Sequence, residues 1–151
     1  MSGLVLATAE EMQTWGEHLG AMLQAGDVVV LTGGLGAGKT TLTQGIARGL
    51  HVRGPITSPT FVIARVHPPL GDGPALVHVD AYRLGGSAEL DDLDLDEALP
   101  DVVTVIEWGA GLAETLAEDR LEIELAGIEE RTVTLRPVGE RFESLVRRLT
   151  R

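Results

Sequence analysis

Met12, Trp15, Leu19, Met22 and Leu23 recur every three or four residues, which predicts a helix with one apolar face. Thr8 stands at its N-cap position, and Glu11, three residues on, completes a capping box; Gly26 closes the segment. The spacing then changes. Asp27-Val28-Val29-Val30-Leu31 is a short β-branched run of the kind that forms a buried strand. Leu42, Ile46 and Leu50 return to four-residue spacing and predict a second amphipathic helix.

Further strands are expected at 61–66, at 75–79 ending on Asp80, and at 102–106 ending on Glu107. Residues 54–59 read as a turn-rich connection and His67 to Pro74 as a loop. The acidic, leucine-rich stretch 88–99 reads as a short helix or a structured loop stopped by Pro100, and 113–117 as a helical turn. Residues 120–125 and 131–136 alternate in period two, as paired strands at a sheet edge do. Phe142, Leu145, Val146 and Leu149 mark a closing helix over 140–150. With no repeat and no long linker, residues 1–151 are expected to form a single domain, a three-layer α/β/α sandwich.

Between the first buried strand and the second helix lies Gly33-Gly34-Leu35-Gly36-Ala37-Gly38-Lys39-Thr40, a complete G-x-x-x-x-G-K-[ST] phosphate loop. Glycines let backbone N–H groups curl around an anion, and the following helix N-terminus adds partial positive charge. Lys39 is the only lysine; the other 11 of the 12 basic residues are arginines. A compact ammonium on a long stem suits the β- and γ-phosphates better than a planar guanidinium fork. Strand, glycine loop and helix together predict a nucleoside triphosphate site.

Composition narrows the rest. At 44% hydrophobic but 3% aromatic, the core must be aliphatic. The absence of cysteine excludes disulfides, Fe–S clusters and cysteine–zinc sites, and it fits a reducing compartment. The N-terminus lacks the basic start of a signal peptide, and no apolar run reaches membrane-spanning length, so no membrane association and a cytoplasmic location are expected. A net charge of −11 argues against strong direct nucleic-acid binding, which needs a basic face. Any role in a nucleic-acid pathway is expected to run through a protein partner.

In open α/β sheets, chemistry gathers at the carboxyl ends of strands, where Asp80 and Glu107 fall. An ATPase of this type needs Mg²⁺ held by the loop threonine, here Thr40, usually with a carboxylate, and a group that orients the attacking water. The alternative for either acid is an N-cap or a solvated surface position. Ser58 and Thr60 fit a γ-phosphate-sensing loop or a plain turn equally well. His78 on a buried strand reads as a core histidine, Trp108 as a packing residue, and the acidic run from Glu89 to Glu97 as a solvated face or a partner surface. Four scattered histidines give no metal-site spacing. Guanine-reading motifs require a further lysine, and the chain has none and no asparagine, so ATP is the expected nucleotide.

Four motifs occur in a fixed order: Leu35-Gly36-Ala37-Gly38-Lys39-Thr40-Thr41, Ser58-Pro59-Thr60-Phe61, His78-Val79-Asp80-Ala81-Tyr82-Arg83-Leu84, and Ile106-Glu107-Trp108. In this order and spacing the chain resembles the TsaE (YjeE) family, the small ATPase subunit of the bacterial machinery that makes threonylcarbamoyladenosine in tRNA. The resemblance covers nearly the whole chain. It implies a phosphate-loop NTPase with a mixed, mainly parallel sheet that hydrolyses ATP with Mg²⁺, weakly alone and in complex with the TsaB–TsaD pair. By motif position it implies that Lys39 and the amides of Gly34, Leu35, Gly36, Ala37, Gly38, Thr40 and Thr41 hold the phosphates. It further implies Thr40 and Glu107 as Mg²⁺ ligands, Asp80 as a catalytic or water-positioning group, and Thr8 and Arg131 near the adenine. The family usually has aspartate where Gly34 stands; since the backbone forms the nest, binding is expected to survive. A small-molecule kinase and a non-hydrolysing, ATP-dependent binding module are the competing readings.

Overall fold

In the computed structural model of the chain, residues 2–33, 38–52, 64–80, 101–107, 118–127 and 130–149 are described. Seven strands and three helices follow one another as β1 (Ser2–Leu6), α1 (Ala9–Met22), β2 (Val28–Gly33), α2 (Lys39–Leu50), β3 (Ala64–His67), β4 (Ala75–Asp80), β5 (Val102–Glu107), β6 (Arg120–Ala126), β7 (Arg131–Val138) and α3 (Glu140–Leu149). The strands form one sheet in the order β1-β7-β6-β2-β5-β4-β3. β2 pairs in parallel with β5 and β6, and β4 in parallel with β5; the flanking pairs β1–β7, β6–β7 and β3–β4 are antiparallel. Five of the seven strands therefore run in one direction, with β3 and β7 reversed.

The β-branched run of β2 sits at the centre because both its faces are buried, the situation that favours continuous apolar sequence. Val29 and Leu31 share one core cluster with Val103, Val105, Leu121, Ile123 and Leu125, and with Met12 and Leu19 of α1, Leu42 and Ile46 of α2, and Phe142 and Leu145 of α3. The three helices among the described residues thus cover one face. Val28, Val30, Val77, Val79, Thr104 and Ile106 alternate onto the other face, where they are also buried. The segments expected to add helical structure, 88–99 and 113–117, lie outside the described residues, as do 54–59 and the start of the strand expected at 61–66. No helix among the described residues is long and apolar enough to cross a membrane.

Sequence patterning does not foresee β1. Its three consecutive apolar residues, Leu4-Val5-Leu6, hide a period of two, and its partner β7 lies far along the chain. Leu6 is buried whereas Val5, on the opposite face of this edge strand, is 59% exposed. The capping box of α1 also differs in detail. The Glu11 amide donates to Thr8 Oγ1 at 3.1 Å as expected, but the Glu11 carboxylate accepts from the Ala7 amide, one residue before the cap, at 2.7 Å.

Glycine lets α1 and α2 meet backbone to backbone. A methyl group on Gly16 would stand 2.7 Å from the Leu42 carbonyl oxygen, and methyl groups on Gly20, Gly45 and Gly49 would collide with the carbonyls of Ile46, Gln13 and Glu17. Beside this seam, Gln13 Nε2 donates to Gln44 Oε1 at 2.9 Å, and Arg48 donates to Gln13 Oε1 at 3.2 Å.

α3 is tied to the start of β2 by Arg141, which donates to Asp27 Oδ2 at 2.8 Å and to the Met22 carbonyl at 3.0 Å. Asp27 is buried and also accepts the Gln24 amide at 2.7 Å. Arg141→Ala leaves that carboxylate short of its cation, so a destabilisation of roughly 2 kcal/mol is expected in urea unfolding. Unchanged unfolding would mean that water replaces the guanidinium without loss.

Candidate functional site

β2 ends at Gly33 and α2 begins at Lys39, with Gly38 as its N-cap. Gly38 is left-handed (φ 104°), a conformation that glycine adopts without a steric penalty. No side chain caps α2 and no acidic residue occupies its first turn. The first amides of a helix have no partner within it, so this N-terminus keeps donors and partial positive charge available for an anion. Lys39 is the first residue of this helix. Its side chain is buried, with Nζ donating to the Gly33 carbonyl at 2.8 Å, so the ammonium is held against the end of β2. Thr43 Oγ1 donates to the Lys39 carbonyl at 2.8 Å and holds the first turn beneath it. Thr40 and Thr41 are half-buried in that turn.

A second feature adjoins this one. Thr8, Ala9 and Met12 from the start of α1, Gly38 and Thr41 from the start of α2, and Arg131 from the start of β7 line one pocket of about 70 Å³ that is open to solvent. Thr8 and Arg131, far apart in sequence, meet here. Arg131 is oriented by donating to the Gly127 carbonyl at 2.9 Å. A methyl group on Gly38 would stand 3.3 Å from Met12 Cε and would project into this space. The pocket therefore depends on glycine at that position.

Along the same sheet edge, β2, β5 and β4 are neighbours, and Leu31, Glu107 and Asp80 lie side by side in the ladder. Glu107 is buried, only 4% exposed, and its Oε2 lies 2.5 Å from Nε2 of His78, which is fully buried. The register places His78 opposite Val105, diagonal to Glu107 on the same face. Sequence reasoning treated His78 as a core residue; the structure gives it a carboxylate partner. No local pattern marks this pairing, because the partner lies on the neighbouring strand and strand register brings the two together.

Among the described residues no three His, Cys, Asp or Glu side chains gather as a metal cage. Mg²⁺ takes only one or two protein carboxylates together with substrate phosphates and waters. The buried carboxylate of Glu107 and the hydroxyl of Thr40, in the first turn of α2, are oxygen donors of the kind it binds.

The family model described as threonylcarbamoyl adenosine biosynthesis protein TsaE matches residues 6–134. The chain belongs to the TsaE family. It is 58% identical over 138 residues to the tRNA threonylcarbamoyladenosine biosynthesis protein TsaE of Streptomyces coelicolor, covering 87% of this chain and 93% of that one. It is 40% identical to the Bacillus subtilis TsaE over 146 residues, 94% of this chain and 89% of that one. The crystal structure of Bacillus subtilis YdiB superposes with a TM-score of 0.79 at 33% identity, covering 99% of this chain and 93% of that one. TsaE proteins are phosphate-loop NTPases, and the fold agrees: a mixed seven-stranded sheet whose central strand feeds the loop.

The family match spans every candidate site residue, from Thr8 to Arg131, and stops before α3. Of these candidates, Thr8, Gly38, Lys39, Thr40, Thr41, Glu107 and Arg131 are described, and Asp80 is placed by its backbone at the end of β4. Gly34, Leu35, Gly36, Ala37, Ser58, Thr60 and Trp108 lie outside the described residues, as do Tyr82, Arg83 and the acidic run from Glu89 to Glu97. The described candidates thus fall in two places. One is the pocket lined by Thr8, Gly38, Thr41 and Arg131; the other is the carboxyl edge of the sheet, where β4 and β5 end on Asp80 and Glu107.

Proposed function

We propose that the chain is a Mg²⁺-dependent ATPase of tRNA threonylcarbamoyladenosine synthesis, weakly active alone and working in complex with TsaB and TsaD. Residues 1–151 act as a single ATP-binding domain, and its place is the cytoplasm. The observation that carries the reading is the arrangement at the carboxyl edge of the sheet. There the buried Lys39 bonds the end of β2, the uncapped N-terminus of α2 follows, and β2 pairs with the strand that ends in the buried Glu107. Family membership supports the pathway.

Each group has a role that follows from its chemistry. The loop amides of Gly34 to Thr41 and the Lys39 ammonium bind the β- and γ-phosphates and stabilise charge as the terminal phosphoryl group separates. Thr40 and Glu107 would hold Mg²⁺, which neutralises phosphate charge. Asp80 orients the attacking water and accepts its proton, so that ATP and water yield ADP and phosphate. Thr8, Met12 and Arg131 receive the base: the pocket offers a thioether and a guanidinium plane to an aromatic ring.

The test is ATP hydrolysis by the purified chain with and without TsaB–TsaD, expecting slow turnover alone and stimulation by the pair. Phosphate appearing on a metabolite acceptor instead, indifferent to those proteins, would establish a kinase. Thr40→Ala and Glu107→Ala are expected to reduce Mg²⁺-dependent turnover by roughly a hundredfold. Full function with either residue removed would favour a module in which ATP sets conformation only.

A further inference from the structure

We infer that His78 is a positioning residue for Glu107, holding one carboxylate oxygen so that the other faces the metal and its waters. The inference rests on the reading of Glu107 as a Mg²⁺ ligand and goes beyond it. His78 Nε2 lies 2.5 Å from Glu107 Oε2, with the histidine fully buried and the glutamate nearly so. The contact is a cross-strand diagonal between β4 and β5, both interior strands of the sheet and each hydrogen-bonded on two sides. A carboxylate on a flexible two-methylene stem is thereby reduced to a narrow range of orientations.

The other ring nitrogen supports this over a purely structural role. Among the described residues, Nδ1 is buried and has no hydrogen-bond partner. A polar ring placed at 0% exposure, with Val105 opposite on one neighbouring strand and Arg65 on the other, carries a desolvation penalty that leucine would avoid, so packing alone does not account for it. A carboxylate facing Nε2 selects the tautomer with its proton there. Nδ1 is then left as a bare acceptor, the less costly kind of buried orphan. The ring gives its one hydrogen bond in this face to Glu107. Such outer partners of metal ligands fix ligand orientation, and their loss typically weakens metal affinity.

The test is titration of a fluorescent ATP analogue into the purified chain, with Mg²⁺ and with chelator. For His78→Leu, affinity in chelator should stay within about twofold of wild type, while the gain conferred by Mg²⁺ should fall by roughly tenfold. His78→Gln, whose side-chain amide can donate to the same oxygen, should recover most of that gain. Turnover should follow through kcat more than through the KM for nucleotide. A His78→Leu protein that keeps the full Mg²⁺ gain overturns the proposal. A wild-type chain that binds the nucleotide yet gains nothing from Mg²⁺ overturns the metal role of Glu107, and this inference with it. Should His78→Leu fail to fold, long-range ¹H–¹⁵N spectra of the wild-type chain decide. A protonated Nε2 on His78 supports the contact, and an unprotonated one overturns it.

Discussion

Lys39→Ala is expected to weaken ATP binding and hydrolysis by a hundredfold or more, roughly 3 kcal/mol of lost phosphate stabilisation. The reason lies in where the ammonium sits. It is buried, and Nζ is held at 2.8 Å from the Gly33 carbonyl, at the end of β2. A cation fixed there acts on phosphate oxygens at a low effective dielectric and needs no reorganisation when they arrive. Alanine leaves the amides of the loop but removes the charge. Arginine should not rescue, because a planar guanidinium fork does not reproduce a compact ammonium point charge.

Thermal shift separates this effect from misfolding. ATP at about 100 times its dissociation constant should stabilise the wild-type chain by about 2.7 kcal/mol, a rise in Tm of roughly 5–10 °C. Lys39→Ala should keep a Tm close to that of the ligand-free wild type and lose the rise. A variant that still shows the full shift and hydrolyses ATP normally would contradict the phosphate-binding role.

Gly45→Val should be the most damaging of the packing substitutions, destabilising the chain by roughly 3 kcal/mol. At Gly45 even a single methyl group would collide with the Gln13 carbonyl, which is backbone and cannot step aside. α1 and α2 would have to part, and the Gln13–Gln44 hydrogen bond with them. For a chain of this size the loss corresponds to a Tm lower by about 6–12 °C, measurable by circular dichroism. The same seam locks the start of α1 to the start of α2, so Thr8 and Met12 keep their place beside Gly38 and Thr41. Weakened nucleotide affinity is therefore expected alongside the lowered Tm, even well below the transition. A Tm within 2 °C of wild type would show that the helices are less tightly opposed than these contacts indicate.

The phosphate loop, the helix after it and the strand-end acids could be read from the chain because each depends on local chemistry. Glycines at fixed spacing, a lysine next to threonine and a β-branched run all state their conformations within a few residues. The joining of Thr8 to Arg131 had no local sign; only motif resemblance suggested it, and sheet order produces it. The pairing of His78 with Glu107 was missed for a related reason. On a strand, a buried histidine reads the same whether its ring meets an aliphatic neighbour or a carboxylate on the next strand, and register decides which. β1 escaped because an edge strand of three consecutive apolar residues has no alternation to reveal it.

By itself the sequence determined which family motifs the chain carries and so the kind of chemistry proposed for it. A single lysine within a glycine loop, carboxylates after hydrophobic runs and a net charge of −11 lead to the expectation of phosphate capture without a direct grip on nucleic acid. Only the tertiary structure decided which of those groups act together. Parallel pairing of β2, β5 and β4 brings separate strand ends to one edge, and the glycine seam between α1 and α2 seats the N-terminal segment against the loop. Local residue types set what a side chain can do, whereas strand register and helix approach set the few ångströms that determine whether it reaches its partner.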